Sequence, residues 1–325
     1  MNAHSFNVLR LLSDGQFHSG EDLARLLNLS RASIWQALQG VEAAGITLYS
    51  VRGRGYRLPR PIDWLDAAQI NQALGPHTTP FHLHIQDEIG STNTVLMQQA
   101  SLGAPHRTIL AAEQQTAGRG RLGRSWVSEL GGSLAFSVLW RFQQGVSYLS
   151  GLSLAVGLAL VKALQSLGIG QAGLKWPNDV LLDGRKLAGI LIEVQGDSLG
   201  PSCAVIGIGL NCKLSATAQA NIDQVVTDLS STLSPPVSRN LVLARILQAL
   251  DDVMQTFEQK GFVALQADWQ AAHLFHQQVV DLLSPAGIRR TVLVRGVDAD
   301  GALIVEDAAG IERIHAGELS LRQRR

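Results

Sequence analysis

The sequence predicts an α+β protein built from three parts: a winged helix-turn-helix over residues 1–60, a central mixed α/β region over 63–272 and a small β-barrel over 274–325. Three observations lead to this prediction. Two amphipathic stretches joined by a short turn precede a glycine-tipped hairpin near the N-terminus. Apolar strand-like runs then alternate with helical runs through the middle of the chain. The last part consists of short strand-like runs separated by Gly, Asp and Pro turns.

Composition limits the class of protein. The chain has 325 residues, of which 46% are hydrophobic and 17% charged, so it is globular and long enough for several domains. A formal net charge of zero argues against non-specific coating of nucleic acid but allows a local basic patch. Cys203 and Cys212 have no Cys-x-x-Cys spacing, which disfavours a structural zinc site and favours a reduced, cytoplasmic protein. No signal peptide is apparent, and the longest apolar segment, 149–164, carries Lys162, so we expect no membrane contact.

The first part begins with capping signals. Ser19 and Asp22 form a capping box that opens a second helix, and Ser30 caps a third. The inner face of the second helix is predicted to hold Leu23, Leu26 and Leu27, and that of the third to hold Ile34, Leu38 and Val41.

The same part predicts a DNA-binding surface. Two helices joined by a tight turn make the third a recognition helix, and 46–58 forms a wing with the tip Gly53-Arg54-Gly55. Seven arginines against four acidic residues give residues 1–60 a net charge of +3. The candidate DNA-binding residues are Ser30, Arg31, Ser33, Trp35 and Gln36 on the recognition helix and Arg52, Arg54 and Arg57 on the wing. A plain packing module is the alternative.

A polar turn follows the first strand of the central part. The strand 81–85 leads to Gly90-Ser91-Thr92-Asn93, after which a helix is predicted over 94–100. Hydroxyl and amide side chains at a helix start are usually caps. They are also suited to a small polar ligand, and the sequence leaves both interpretations open.

The most basic loop of the central part is 116–126. Gly118, Gly120 and Gly123 match the pattern G-x-G-x-x-G, but a strand rather than a helix follows over 133–140, so we reject a dinucleotide fingerprint. Arginines interleaved with the glycines are typical of a loop that folds over a polyanion. A solvated basic loop is the alternative.

The stretch 175–193 predicts a hairpin with an anion-binding lysine. Asp183-Gly184 is a strong signal for a type I′ turn between strands 180–182 and 187–192. Lys186 lies at the entrance of an apolar strand, which suggests a cation kept for an anionic partner. Gly189 suggests close approach by a ligand or another backbone. An ordinary hairpin with a solvated lysine remains the alternative.

Five motifs in order resemble one family. They are Gly90-Ser91-Thr92-Asn93, Gly118-Arg119-Gly120-Arg121-x-Gly123-Arg124, Lys175-Trp176-Pro177-Asn178-Asp179, Arg185-Lys186-Leu187-Ala188-Gly189-Ile190 and Gly207-Ile208-Gly209-Leu210-Asn211. Together they resemble the biotin–protein ligases of the bifunctional type that are also biotin-responsive repressors. The resemblance spans nearly the whole chain and implies a class II synthetase-like central domain and an SH3-like C-terminal β-barrel.

The resemblance implies an activity and its partners. Biotin reacts with MgATP to give biotinyl-5′-AMP, and a lysine of the biotin carboxyl carrier protein of acetyl-CoA carboxylase then accepts the biotin. The substrates and cofactors are biotin, ATP and Mg²⁺. Operator DNA of biotin biosynthesis genes is the second partner, and we expect a homodimer when the adenylate is bound, because a helix-turn-helix monomer contacts only one half-site.

The resemblance also implies roles for individual residues. Biotin is contacted by Ser91, Thr92, Asn93, Gln115, Arg119, Gly120, Arg121 and Lys186. The nucleotide is contacted by Arg121, Arg124, Trp126, Asn178, Asn211 and Arg322. Candidate catalytic residues are Arg119, Arg121, Lys186 and Asp179, and no residue is assigned to a resident metal. Asp179 is the candidate for assisting the incoming lysine, with a cap or a magnesium-side role as the alternative.

Three rival functions remain open at this level. A pure biotin sensor has no need for both an arginine loop and Lys186. A lipoate ligase shares the central fold but gives no reason for a winged helix. The third rival is an enzyme whose winged helix is vestigial. The chain has no Met-Lys-Met acceptor motif, so we expect the ligase and not its substrate.

Overall fold

The computed structural model describes residues 1–76, 78–283, 289–315 and 320–323. The N-terminal winged helix-turn-helix consists of α1 (Ala3–Leu12), α2 (Gly20–Leu27), α3 (Arg31–Ala43), β1 (Tyr49–Val51) and β2 (Gly55–Arg57). The predicted caps are confirmed: the Ser19 and Ser30 side chains accept hydrogen bonds from the backbone N–H groups of Asp22 and Ser33.

The inner face of α2 differs from the prediction at one residue. Leu23 is fully buried, whereas Leu26 is 53% exposed. The buried side of this short helix centres on the arc between Leu23 and Ala24, and Leu26 lies on the far side of Leu23 at about 100° of rotation per residue. The expectation that Leu26 faces the core was therefore wrong. The recognition helix α3 buries Ile34, Leu38 and Val41 as expected.

The central part is one mixed sheet with helices on both faces. Its strands are β3 (His82–Ile89), β4 (Thr108–Gln115), β5 (Ser133–Phe142), β6 (Ala172–Lys175), β7 (Asp179–Leu182), β8 (Arg185–Gly196) and β9 (Ser202–Asn211). Their order in the sheet is β3-β4-β5-β9-β8-β7-β6, with β3 and β4 parallel and the other pairs antiparallel. The helices are α4 (Ala67–Leu74), α5 (Thr92–Ser101), α6 (Leu152–Ser166), α7 (Ala216–Ala220), α8 (Arg239–Lys260) and α9 (Gln266–Ala272).

The two faces of β5 explain the layers. Leu134, Phe136 and Trp140 point to the large core that also contains α6 and α8. Leu139 points to a smaller core beneath α5. Both faces of β5 are covered, so the strand is almost entirely buried. This explains why apolar side chains occur on both of its faces.

The predicted turn between β7 and β8 is confirmed. Asp183 and Gly184 have φ angles of 51° and 72°, the two positive values that a type I′ turn requires. The turn pairs Lys186 with Leu181 and Gly189 with Asp179 at the beginning of β7, and the Lys186 ammonium reaches the Asp179 carboxylate at 2.8 Å.

The C-terminal part is a five-stranded antiparallel sheet. Its strands are β10 (Val279–Leu283), β11 (Arg289–Val297), β12 (Leu303–Asp307), β13 (Gly310–Ile314) and β14 (Ser320–Gln323), in the order β13-β12-β11-β10-β14. The strand-like runs that the sequence shows here, 278–283, 289–295, 303–306 and 311–315, correspond to β10 to β13, and β14 was not predicted. The sheet docks on the central part through Trp176, whose indole N–H donates to the Gly301 carbonyl at 3.1 Å.

The winged helix is attached to the central part close to the end of β3. The Arg10 guanidinium pairs with both carboxylate oxygens of Asp87, and the N-terminal amine lies 2.8 Å from a Glu88 oxygen. Trp64 of the linker packs against Phe6 and donates to the Ser13 hydroxyl at 2.9 Å. No helix among the described residues is long and apolar enough to cross a lipid bilayer.

Candidate functional site

A cleft opens on the sheet between α5, the loop 116–126 and the corner 175–179. Its empty volume is about 1060 Å³, including the part that is open to solvent. Its walls contain most of the predicted site residues, namely Ser91, Thr92, Asn93, Gln115, Arg119, Gly120, Arg121, Arg124, Trp126, Asn178, Asp179 and Lys186.

The start of α5 forms one wall through a buried hydrogen-bond network. Ser91 is the N-cap, so the cap interpretation holds for this residue. Thr92 donates from its backbone N–H and its hydroxyl to the Gln115 side-chain oxygen at 2.8 and 3.1 Å. The Ser137 hydroxyl lies 2.7 Å from the Thr92 hydroxyl and 2.6 Å from the Asn93 side-chain oxygen. The side chains of Thr92, Asn93 and Gln115 therefore give this end of the cleft a fixed, uncharged polar lining, with the Glu193 carboxylate bonded to the Asn93 amide.

Two glycines of β9 form the floor beneath that wall. A Cβ atom on Gly207 would lie 2.2 Å from the Asn93 side-chain oxygen, and one on Gly209 would lie 2.3 Å from the Trp126 ring. Any larger side chain would push these groups out of position. The sequence showed a glycine-punctuated strand but did not show that its glycines accommodate wall residues.

Lys186 and Asp179 form an ion pair inside the cleft. The ammonium lies 2.8 Å from one carboxylate oxygen, and both side chains are only 15% exposed. Lys175 is 3.8 Å from the other carboxylate oxygen. The predicted cation for an anionic partner is therefore held in place by a carboxylate that the sequence had assigned a separate role.

The loop 116–126 folds back on itself across the cleft. Trp126 donates from its backbone N–H to the Gly118 carbonyl at 2.9 Å, and Gly120 donates to the Arg124 carbonyl at 2.7 Å. We call this segment, residues 118–126, the lid loop. The strand after it confirms that the glycine pattern does not open a nucleotide-binding helix.

The arginines of the lid loop have different partners. Arg119 donates to both carboxylate oxygens of Glu193 at 2.8 Å. Arg121 donates to the Asn178 side-chain oxygen at 3.1 Å. Burial lowers the pKa of the Arg121 guanidinium from its usual value, and the nearby Asp179 carboxylate opposes that shift. Arg121 therefore brings a partly desolvated positive charge to the cleft without a carboxylate bonded to it among the described residues.

A second cavity adjoins the cleft at the same cation. Its empty volume is about 890 Å³, again including open space. Arg124, Trp126 and Lys186 line both cavities. The far side of the second cavity is formed by Asn211, Asn221, Ile222, Asp223, Gln224 and Val226. The Asn211 amide donates to the Thr227 carbonyl at 3.0 Å and so holds this segment in place. Apart from Asn211, sequence analysis missed these residues, because nothing in 221–226 matches a motif.

The lining residues fit a magnesium ion that arrives with a nucleotide. No cluster of three or more His, Cys, Asp or Glu side chains suited to a metal occurs among the described residues. Asp179 supplies a carboxylate to the main cleft. Mg²⁺ is commonly bound through about one or two carboxylates together with substrate phosphates and water. Asp179 together with bound phosphates would supply oxygen ligands of that kind.

The predicted DNA-binding residues lie on the winged helix, away from the cleft. Trp35 is 60% exposed on α3, and Arg31 pairs at the surface with Glu21 at 3.2 Å. The Arg54 and Arg57 guanidinium groups stack on Phe17 at 4.5 and 4.8 Å. The other predicted positions on this surface are Ser30, Ser33, Gln36 and Arg52. The remaining predicted nucleotide residue, Arg322, has its backbone in β14 opposite Asp281, and its side chain lies outside the described part of the chain.

Comparison with known proteins places family profiles on all three parts. Residues 86–211 match the biotin/lipoate A/B protein ligase family. Residues 4–57 match an HTH domain, and residues 279–322 match the biotin protein ligase C-terminal domain.

Relatives match along nearly the full length. The bifunctional ligase/repressor BirA of Escherichia coli is 35% identical over 323 residues, covering 99% of this chain and 98% of that protein. The BirA protein of Salmonella typhimurium is also 35% identical, over 317 residues that cover 97% and 96%. A biotin protein ligase from Aquifex aeolicus, solved in complex with biotin and ATP, is 28% identical with a TM-score of 0.64, covering 75% of this chain and 99% of that one.

Proposed function

This chain belongs to the biotin protein ligase family in its bifunctional ligase/repressor form, and from that membership we propose that it activates biotin with MgATP and transfers it to a lysine of a carrier protein. The observation that carries the proposal is the position of Lys186. It is a mostly buried cation at the junction of two cavities, one walled by neutral polar groups and the other by the segment 221–226. Together with Arg121, which has no carboxylate bonded to it among the described residues, this cation is suited to bring two anions together.

We assign biotin to the main cleft. The neutral hydrogen-bonding groups of Thr92, Asn93 and Gln115 suit the uncharged ureido ring, which both donates and accepts hydrogen bonds. With the ring at that end, the carboxylate points toward Lys186 and Arg121. Ser91, Arg119 and Gly120 complete the predicted biotin site as cap and lid residues.

We assign the nucleotide to the second cavity and the space beside it. Arg121, Arg124 and Lys186 supply cations for the phosphates, and the Trp126 ring lies 5.9 Å from the Lys186 ammonium. Asn178 faces the main cleft and Asn211 faces the second cavity. Arg322 remains a proposed nucleotide residue on the strength of the family resemblance alone.

The chemistry follows from charge. A biotin carboxylate oxygen attacks the α-phosphorus of ATP, a mixed anhydride forms and pyrophosphate leaves. The carboxylate and the phosphate repel each other, so preorganised cations at the reacting centre lower the barrier. The acceptor lysine then attacks the acyl carbon, an amide forms and AMP leaves. That amine has to lose a proton, and Asp179 is the carboxylate proposed to assist or, alternatively, to serve the magnesium side.

The acceptor that we propose is the biotin carboxyl carrier protein of acetyl-CoA carboxylase. A protein substrate requires that the reacting end of the adenylate be reachable from solvent, and the main cleft is partly open to solvent. The half-exposed Arg119 and the exposed Leu122 are among its lining residues.

The winged helix supports a second function, binding of operator DNA for biotin biosynthesis genes. Arg52, Arg54 and Arg57 have no acidic partner among the described residues, so their charge is available for phosphates. Trp35 and Gln36 are exposed on the recognition helix, where base edges are contacted. We keep 1–60, 63–272 and 274–325 as the proposed domain limits.

A dimer surface is proposed at the open edge of β8. This strand runs over twelve residues, but β7 pairs only with its first part, up to Gly189. Residues 191–196 therefore have a strand partner only on the β9 side in the described part of the chain. Arg119 of the lid loop is bonded to Glu193 on this edge, so ordering the lid over the adenylate also orders the edge. An unpaired strand edge is a template for pairing with another chain.

The deciding experiment is mass spectrometry after incubation with biotin, MgATP and a biotin carrier domain. We expect biotinyl-5′-AMP bound to the protein and an added biotin on one carrier lysine. A parallel incubation with lipoate distinguishes the two ligase activities. Binding of biotin without any adenylate would leave the sensor as the correct function, and operator binding that does not respond to biotin would leave the winged helix as vestigial.

A further inference from the structure

Glu193 connects the lid loop to the wall of the cleft. Its carboxylate accepts hydrogen bonds from the Arg119 guanidinium at 2.8 Å and from the Asn93 amide at 2.9 Å. Asn93 in turn donates to the Leu191 carbonyl at 3.1 Å and accepts from Ser137 at 2.6 Å. A continuous polar chain therefore runs from the lid loop through β8 to the buried start of α5.

The partners of the two lid arginines separate their roles. Arg119 is neutralised by a carboxylate that it contacts through both oxygens, whereas Arg121 contacts only the neutral Asn178 amide in the described structure. A guanidinium whose charge is already matched attracts a substrate anion less than one whose charge is not. Arg119 is thus suited to hold the loop, and Arg121 is suited to meet the phosphate.

We propose that Glu193 is a positioning residue that holds the lid loop closed through Arg119, and so controls how long biotinyl-5′-AMP is retained. The adenylate as ligand in this inference rests on the proposed ligase function, whereas the contact between Arg119 and Glu193 is independent of it. The lid loop has a second attachment at Arg121 and Asn178. Loss of the Glu193 contact therefore loosens the loop without removing it.

Limited trypsin digestion tests the contact without any ligand. The lid loop carries trypsin sites at Arg119, Arg121 and Arg124, and a loosened loop is cut faster. We expect Glu193→Gln to speed cleavage after Arg121 and Arg124 relative to the wild-type chain. The matched control is Glu21→Gln, which breaks another surface pair, in which the Glu21 carboxylate of α2 lies 3.2 Å from the Arg31 guanidinium of α3. This variant is expected to leave cleavage of the lid loop unchanged.

Release of the adenylate tests the consequence. Labelled biotinyl-5′-AMP is formed on the full chain from biotin and MgATP and chased with unlabelled adenylate. We expect Glu193→Gln and Arg119→Gln each to raise the release rate ~5-fold, the effect of one half-exposed charged hydrogen bond. Because both variants break the same contact, the double variant is expected to release no faster than either single one. The exchanged pair Arg119→Glu with Glu193→Arg is expected to return part of the retention.

The outcomes are separable. Unchanged cleavage and unchanged release in Glu193→Gln would overturn the proposed positioning role of Glu193. Additive effects of the two substitutions, with no recovery in the exchanged pair, would also overturn it, since the residues would then act independently. Failure of the wild-type chain to form any adenylate would overturn the ligase function itself, while faster cleavage in Glu193→Gln would still support the contact.

Discussion

At the scale of single residues, Lys186 has the clearest consequence for activity. It is held by Asp179 at 2.8 Å in the cleft, and each of the two side chains is only 15% exposed. Removing one preorganised charge of this kind costs roughly 10²- to 10³-fold in rate. We therefore expect Lys186→Ala to lower biotinyl-5′-AMP formation by about that factor, as measured by release of labelled pyrophosphate. Turnover within about threefold of wild type, equivalent to under ~1 kcal/mol, would remove Lys186 from the reacting centre.

Asp179 offers a test of two roles. Its carboxylate pairs with Lys186 and is also the proposed group for assisting the incoming amine. Because the pair orients the cation used in the first step, we expect Asp179→Asn to slow adenylate synthesis more than transfer from preformed adenylate. Single-turnover assays of the two steps separate them. A larger effect on transfer would instead support Asp179 as the base for the acceptor lysine.

His273 gives a prediction for stability and pH. Burial lowers the pKa of its imidazole to about 3, and the neighbouring His276 adds to that shift. The unfolded chain takes up a proton below the usual value of 6.5, whereas the folded chain does not until near 3. The neutral, buried imidazole therefore stabilises the fold above pH 6.5, and that contribution is lost as the pH falls toward 3, by at most about 1.4 kcal/mol per pH unit.

The matching experiment uses His273→Phe, since the ring packs between Trp269 and Phe275. We expect its melting temperature to fall less between pH 7 and pH 5 than that of the wild-type chain. His82→Gln, an exposed position on β3, is the control. Equal pH dependence in His273→Phe and the wild type would show that another group governs acid stability.

At the scale of elements, the glycines of β9 determine the shape of the cleft. Gly209→Ala puts a methyl group 2.3 Å from the Trp126 ring, so the ring and the end of the lid loop have to move. We expect adenylate formation to fall by more than tenfold, since a displacement of positioning groups by about 1 Å can lower the rate by about 10²-fold. The control is Gly170→Ala, where a Cβ meets nothing within 4 Å. Similar activity in the two variants would show that Trp126 is not needed in its present position.

At the scale of the whole molecule, one chain joins a DNA-binding surface to a lid loop that we propose the adenylate orders. Arg10 and the N-terminal amine hold the winged helix to Asp87 and Glu88, at the end of the strand that leads to Ser91. A monomer contacts about one half-site, and specific binding requires two. We expect biotin with MgATP to raise both dimerisation and operator affinity, as measured by sedimentation and by operator-binding titration.

The strand edge provides a matched pair of variants for that experiment. Val194→Lys puts a charge on the open edge of β8, where Val194 is 44% exposed, and is expected to weaken dimerisation and operator binding together. Val263→Lys, at a 56% exposed position in the short helical turn Phe262–Ala264 outside the sheet, is expected to change neither. An unchanged monomer–dimer equilibrium on adding biotin and MgATP would show that DNA binding is not controlled through dimerisation.

Removing the winged helix tests whether the two functions are separable. A chain that lacks residues 1–60 is expected to lose operator binding and to keep at least part of its biotinylation activity, because the cleft is built from elements beyond residue 90. Its stability is expected to fall, since Ile62 and Trp64 pack against the N-terminal core. Complete loss of biotinylation in a folded truncated chain would mean that the winged helix contributes to the cleft. The carrier domain is expected to compete with dimerisation if both use the β8 edge.

The sequence by itself determined the features that depend on neighbouring residues. The Ser19 and Ser30 caps and the Asp183-Gly184 turn follow from local backbone chemistry, and all three are present. The ordered motifs brought together most of the residues that line the cleft. The prediction for the inner face of α2 was wrong at Leu26, which is exposed, because an eight-residue helix has too few turns to fix which side is covered.

Only the tertiary structure decided which distant residues meet. Ser137 and Glu193 have no motif, and they enter the site because the sheet order places β5, β9 and β8 side by side. The segment 221–226 has no motif either, and it enters because Val225 and Thr227 bond to the backbone of Lys186. The partners of charged groups could not be predicted either. Which carboxylate lies beside Lys186 depends on the register between β7 and β8 and not on the number of residues between them in the sequence. For this reason the sequence identified Lys186 and Asp179 separately, and the fold showed them to be one ion pair.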